Sequence, residues 1–286
     1  MNKDLDTLLK QALAPTKEPD DRLNKKIMGQ VKETDIMNMK KVRKIPAAAI
    51  AAVFVIATGS LTAYASWKYL TPESITKKLN DSRLTDAFQG KDAVSINETQ
   101  TIAGYQVTFL GIVSGKDISQ YESKSNQEIL HDRSYCVTAV KREDGTPMPD
   151  TSEDAYSDLS FFVSPLIKGY DPVDYNVFTM HGNYTEFVEN GILYRLTECD
   201  NVEIFADHGL YLCVCDGWLY NQEAYHYNEA SGVISRNENY TGLNALFQLP
   251  VDVSKADPRA AADYRTCIEE SETEGEADTQ KDAIKS

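Results

Sequence analysis

The chain has 286 residues, of which 44 are acidic and 29 basic, leaving a formal net charge of −15. That balance argues against a nucleic-acid ligand for its acidic part, because phosphate backbones are held by clustered lysine and arginine. No Gly-x-Ser-x-Gly elbow, phosphate-cradling glycine loop, dinucleotide fingerprint or His-Glu-x-x-His spacing occurs, so no motif marks an enzyme.

The charge is unevenly spread. Residues 1–44 carry 11 Lys and Arg against 7 Asp and Glu, a net of +4, whereas residues 68–286 have a net of −19. Within the basic arm, Leu5, Leu8, Leu9, Ala12 and Leu13 recur at helical spacing, which stacks them on one face of a helix that stops before Pro15. After Pro19, Asp20 or Asp21 can cap a second helix bearing Leu23, Ile27, Met28 and Val31 on one side. Two short amphipathic helices supply too little core to stand alone. The stripe Leu5, Leu8, Leu9 and Leu13, with Leu23 and Ile27, is therefore the expected partner-binding face, to be covered by a protein, a second copy or the membrane surface.

Residues 45–67 contain no charged side chain. As a helix they rise about 34 Å, enough to cross a hydrocarbon core of roughly 30 Å. Lys40, Lys41, Arg43 and Lys44 stand before this stretch, and Tyr64, Trp67 and Tyr69 mark its far end. Basic residues stay on the cytoplasmic side and amphipathic rings favour the headgroup level, so the expected topology is a single transmembrane helix with a cytoplasmic N-terminus. Two other readings stand beside it. One is a buried helix of a soluble protein, which rarely runs so long without charge. The other is a cleaved signal peptide, for which Ala63-Tyr64-Ala65 before Ser66 has the right form, although 44 residues precede the apolar run.

Beyond the span, Thr71-Pro72-Glu73 reads as an N-cap with proline at the first helical position. It opens a short helix with Ile75 and Leu79, followed by a second piece holding Leu84, Ala87 and Phe88 before Gly90. Residues 68–92 are thus expected as a helical stem. From residue 93 the chain turns to Val, Ile, Tyr, Phe and Thr runs broken by Gly, Asp, Asn and Pro, the pattern of an antiparallel β domain. Strands are expected near 93–101, 104–113, 134–141, 159–166, 191–198, 202–206, 209–215 and 243–249, with shorter ones between 217 and 236. Ile102-Ala103-Gly104 and Asp207-His208-Gly209 are the expected hairpin links. Regular strand spacing points to an Ig-like β-sandwich over residues 93–252, lying outside the membrane. Residues 253–270 are expected to carry a C-terminal helix with Asp257 as cap and Pro258 in its first turn. The acidic composition of residues 271–286 predicts a disordered tail.

Cys136, Cys199, Cys213, Cys215 and Cys267 all lie beyond the span, and an odd number leaves at least one thiol unpaired. Cys213 and Cys215 are two apart in a strand and share a face, so a soft metal with Cys199 or His208, a bridge to Cys199, or plain buried thiols are the available readings; Cys-x-Cys alone favours the last two. His131, His181, His208 and His226 are scattered, without ligand spacing. Asp150 with Asp154, and Asp171 with Asp174, lack the glycine and terminal glutamate of a regular calcium loop and read as loop carboxylates. Asn80, Asn97, Asn183 and Asn239 open Asn-x-Ser/Thr sequons, which matter only where a secretory pathway glycosylates. Tyr170, Tyr175, Tyr184, Tyr220, Tyr225, Tyr227 and Tyr240 are expected to be exposed, suiting either recognition of a sugar or protein surface or strand packing. No metal and no cofactor is expected.

The order of parts resembles a family of single-pass membrane proteins of Gram-positive bacteria described as anti-sigma-factor-like. The carrying pieces are the Leu-x-x-Leu-Leu run at Leu5–Leu9, a Pro19–Ile27 segment with one extra residue before Leu23, the basic stop Lys40–Lys44, the alanine-rich span and the hairpin Val94–Val113 of a β ectodomain. The resemblance implies that residues 1–34 bind a cytoplasmic regulator, a sigma factor, while the outer domain meets an extracellular ligand. The zinc motif His-x-x-x-Cys-x-x-Cys found in many anti-sigma factors is absent from this arm, which has neither His nor Cys. A binding module for a glycan or protein, anchored by an inert arm, is the alternative.

Overall fold

The computed structural model describes residues 69–125 and 128–268. The N-terminal arm with its leucine stripe, the stretch 45–67 and the acidic tail lie outside these residues. Among the described residues no helix is long and apolar enough to cross a membrane.

The chain enters through two short helices. Thr71 caps the first by accepting from the Ser74 amide, and Pro72 opens α1 (Pro72–Lys78). Asp81 then caps α2 (Ser82–Gln89) by accepting from the Leu84 amide at 3.0 Å. Asp81 also accepts from the Gln120 amide and the Ser119 hydroxyl, which ties the loop after the second strand to the helix start.

Twelve strands follow among the described residues. They are β1 (Val94–Ile102), β2 (Tyr105–Lys116), β3 (Ser123–Ser125), β4 (Glu128–Leu130), β5 (Asp132–Arg142), β6 (Phe161–Ile167), β7 (Asn183–Glu189), β8 (Ile192–Asp200), β9 (Leu210–Asp216), β10 (Tyr225–Asn228), β11 (Val233–Arg236) and β12 (Asn244–Leu249). A five-stranded antiparallel sheet runs in the order β1-β2-β5-β8-β7, a three-stranded one in the order β12-β9-β6, and β10-β11 and β3-β4 are separate hairpins. The domain is mainly β and antiparallel, as the runs of strand-forming residues broken by turn residues predict. Connections β5 to β6, β6 to β7 and β8 to β9 carry the chain from one main sheet to the other.

Burial divides β2, β5 and β8 of the large sheet between two cores. Cys136, Val140 and Leu193 face the small sheet and join Leu212, Val214, Ala245 and Phe247 in the main core, where Phe109 and Phe247 meet at a ring separation of 5.9 Å. Tyr135, Val137, Ala139, Ile192 and Tyr194 face the other way, where α1 and α2 cover them with Ile75, Leu84 and Phe88. The two helices expected as a stem are thus a layer of the domain. An edge contact joins the sheets: the Gln100 side-chain amide donates to the Leu246 carbonyl at 2.7 Å and accepts from the Leu246 amide at 3.1 Å, imitating a strand partner.

A bulge in β2 lets one strand serve both cores. Phe109 pairs with Thr138 and Gly111 with Val137, which leaves Leu110 as the extra residue. Leu110 and Val113 therefore face the helices, while Phe109 and Ile112 face the small sheet. A Cβ on Gly111 would lie 2.8 Å from the Val94 carbonyl oxygen, so the close approach of β1 at the bulge requires glycine.

The hairpin at Ile102–Tyr105 forms as expected, with Ala103 at φ 50° and Gly104 at φ 79°. Residues 202–206 do not form the expected strand. They make a 3-10 turn, Val202–Phe205, because the Asn201 side chain accepts from the Glu203 amide and bends the backbone, so Asp207-His208-Gly209 is not a hairpin link. Strand β7 escapes the sequence pattern because its first three residues are exposed at the sheet edge and need not be apolar. The C-terminal helix α3, residues 258–268, is capped by Asp257, which accepts from the Arg259 and Ala260 amides, and sinks Ala261 and Ile268 into the main core.

Candidate functional site

The expected partner-binding residues Leu5, Leu8, Leu9, Leu13, Leu23 and Ile27 lie outside the described residues. Within the β domain the chemistry-bearing side chains gather in two buried ionic knots, a set of buried thiols and an aromatic end.

The first knot closes the end of β5 and β8, where the register sets Arg133 opposite Asp200. Arg133 is 2% exposed, donates from Nη1 to Asp200 Oδ1 at 2.5 Å and from Nη2 to the His181 carbonyl at 2.7 Å. The other Asp200 oxygen meets His181 Nδ1 at 2.7 Å and accepts from the Tyr264 hydroxyl at 2.8 Å. Burial, and then the Asp200 charge, raise the Tyr264 phenol, which keeps it a donor. One carboxylate thereby ties together two strands, the loop before β7 and helix α3. The second knot pairs Arg195 with Glu186, Nε to Oε2 at 2.6 Å; Arg195 also donates to the Phe161 carbonyl, and Glu186 accepts from the Tyr156 hydroxyl. Tyr184 lies against the guanidinium at 4.1 Å. Each arginine is neutralised by a carboxylate and donates to a backbone carbonyl, the behaviour of a structural ion pair, although the buried Nε of Arg133 has no hydrogen-bond partner among the described residues.

Cysteines 136, 199, 213 and 215 are buried free thiols, and Cys267 is exposed. Burial pushes the Cys136 and Cys215 thiols up to about 12 and the Cys199 and Cys213 thiols well above their ordinary value. Cys199 neighbours Cys136 on the large sheet, while Cys213 and Cys215 face Tyr220 and Tyr225 on the far side of the small one. The bridge from Cys199 to Cys213 or Cys215 is therefore not made. His208 packs its ring on Tyr170 at 5.3 Å, and no group of three or more His, Cys, Asp or Glu side chains suited to a metal occurs among the described residues. His131 sits 2.6 Å from Asp117 at the surface, and His226 is exposed on β10. Asp150 and Asp171 accept from the amides two residues on, at Ser152 and Val173, so both serve as turn carboxylates.

The aromatic end departs most from the sequence reading. Of the tyrosines expected at the surface, Tyr175 and Tyr225 are buried, Tyr170, Tyr220, Tyr227 and Tyr240 are half-buried, and Tyr184 is exposed. The exposed apolar surface comes from other residues: Trp218 is 62% exposed, Leu219 67% and Phe178 54%. Register explains their grouping. Phe162, opposite Cys215, points to the outer face of the small sheet, and Phe178 and Tyr220 flank its ring at 5.8 and 6.2 Å. Gly217, at φ 106°, donates to the Ser160 carbonyl and turns the chain so that Trp218 and Leu219 emerge beside this cluster. Sequence periodicity had no means of finding them, since a Trp-Leu pair between two strands looks like core.

Comparison with known proteins adds no further constraint: no protein-family model, no curated protein and no solved structure matches the chain.

Proposed function

We propose that this protein is a non-catalytic, membrane-bound regulator of the anti-sigma-factor-like kind. In this reading residues 45–67 span the membrane, the helices of residues 1–34 hold a cytoplasmic regulator, a sigma factor, and the β domain, an Ig-like sandwich, meets a ligand outside. The observation that carries the reading is the uncharged stretch 45–67 with its basic approach, followed without slack by the domain. Tyr69 and Leu70, two and three residues past the stretch, already pack against the second core, and the Leu70 amide donates to the Tyr194 hydroxyl at 3.2 Å. A span joined to a folded domain without a linker transmits what the domain feels; an inert anchor has no need of that.

Burying four leucines of the stripe is worth roughly 6 to 12 kcal/mol before the cost of ordering the arm, which reaches micromolar binding or better. The test compares the native chain with Leu8→Asp combined with Leu9→Asp, measuring capture of the cytoplasmic regulator and transcription from its promoters. Loss of capture with derepressed transcription is expected. Unchanged capture and transcription would leave the anchored binding module, which the exposed Trp218 and Leu219 favour.

A further inference from the structure

We propose that the aromatic end of the β domain is a docking surface for a cationic polypeptide segment that interleaves Lys or Arg with apolar side chains. Val173, Phe178, Trp218 and Leu219 are each more than two-fifths exposed; Phe178 flanks the Phe162 ring, and Trp218 and Leu219 immediately precede Tyr220, the ring on which Phe162 also packs. Leaving so large an indole and an adjacent leucine in water is unfavourable unless a partner covers them.

The charge around the patch selects the partner. The loop before Phe178 carries Asp171 and Asp174, and the chain just after Tyr220 carries Glu223 and Glu229, whereas Glu186 and Glu189 on β7 are spent on Arg195 and Lys78 and add nothing here. Asp171 lies close enough to act on the Tyr220 phenol, and Glu223 acts on Tyr240, so carboxylates from both loops border the rings. Burial, and then the neighbouring Asp171, raise the Asp174 carboxyl. A cation arriving here gains both the carboxylates and the open faces of Trp218 and Phe178. A membrane surface is disfavoured, because anionic headgroups repel such a border. A glycan is disfavoured as well: Leu219 and Val173 offer a sugar no hydrogen bond, whereas they suit the apolar residues of a peptide.

The proposal assigns a ligand class to the outer domain and rests on the reading above only for placing that domain outside the cell. The experiment uses the full chain in discs of zwitterionic lipid, probed with a fluorescent peptide of alternating lysine and leucine, the same peptide with glutamate for lysine, and a soluble glucan. The lysine peptide is expected to bind and the other two are not. Trp218→Ser with Leu219→Ser is expected to lower affinity by about tenfold or more, and Asp171→Asn with Glu223→Gln to weaken it mainly at low salt. The first pair is mostly exposed, and Asn and Gln keep the loop hydrogen bonding, so the variants stay folded; an unchanged thermal transition checks this. Native-like binding by the Trp218 and Leu219 variant, preference for the glucan, or self-association of the chain through Trp218 would each overturn the proposal. Peptide binding that survives while the arm variant still captures its regulator would sink the signalling reading and leave this one standing.

Discussion

At the residue scale, the four buried thiols and the Arg133 knot give opposite lessons about burial. Thiols are cheap to bury neutral and costly to bury charged. In the folded chain a thiol reagent should therefore modify Cys267 and spare Cys136, Cys199, Cys213 and Cys215, which become reactive on denaturation; counting labelled cysteines by mass spectrometry with and without urea checks this. The same shift has a sign in pH. The folded thiol of Cys136 titrates near 12 against an ordinary 9.0, so its stabilising share is intact below pH 9.0 and is lost as pH rises toward 12, because the unfolded state releases the proton first. Urea midpoints measured across that window should fall with pH. Arg133 is the reverse case, a charge held inside. Asp200→Ala leaves a guanidinium that is 2% exposed with the more distant Glu198, at 4.0 Å, as its counter-charge, whereas Arg133→Met leaves Asp200, 16% exposed, with Tyr264 and His181 still beside it. Asp200→Ala should cost about 3–5 kcal/mol and Arg133→Met clearly less, as read by urea denaturation.

At the element scale, the helices α1 and α2 decide where the domain begins. Ile75 and Leu84 are fully buried against Leu110, Val113, Val137 and Ala139 on the outer face of the large sheet. A fragment of residues 93–250 keeps the strands but bares that face, and it also loses Ala261 and Ile268 of α3 from the main core. It should aggregate or melt far below a fragment of residues 69–268, a comparison made by circular dichroism melting and dye binding to exposed apolar surface. Neither fragment is expected to need metal, so chelation should leave the longer one unchanged.

At the scale of the whole molecule, charge and topology are one argument. The proposed orientation puts the net of +4 inside and the net of −19 outside. Protease added to intact protoplasts should then digest or shave the β domain while residues 1–44 remain protected, followed with antibodies to each end. Protection of the β domain with loss of the arm would reverse the orientation and remove the proposed sigma-factor contact.

What the sequence determined by itself was whatever short-range chemistry controls. Thr71-Pro72 and Asp257-Pro258 named helix starts through capping, and Ile102-Ala103-Gly104 named a turn through positive φ. Runs of Val, Ile, Tyr, Phe and Thr broken by Gly, Asp, Asn and Pro announced an antiparallel domain, because β-branched and aromatic side chains pack well on a pleated surface and the breakers supply its turns. Tertiary structure decided what depends on partners distant in the chain. The bulge at Leu110, which divides β2 between two cores, is set by its register with β5. Asn201, whose side-chain amide donates to Asp132 across the sheet, is held where it caps the Glu203 amide and turns an apolar run into a 3-10 turn, and edge position allowed polar β7 to be a strand. Above all, whether an aromatic is buried is a property of what packs over it. Tyr225 disappears beneath the small sheet with its hydroxyl on the Ala245 carbonyl, while Trp218, only seven residues earlier, stays in water because Gly217 turns the chain outward.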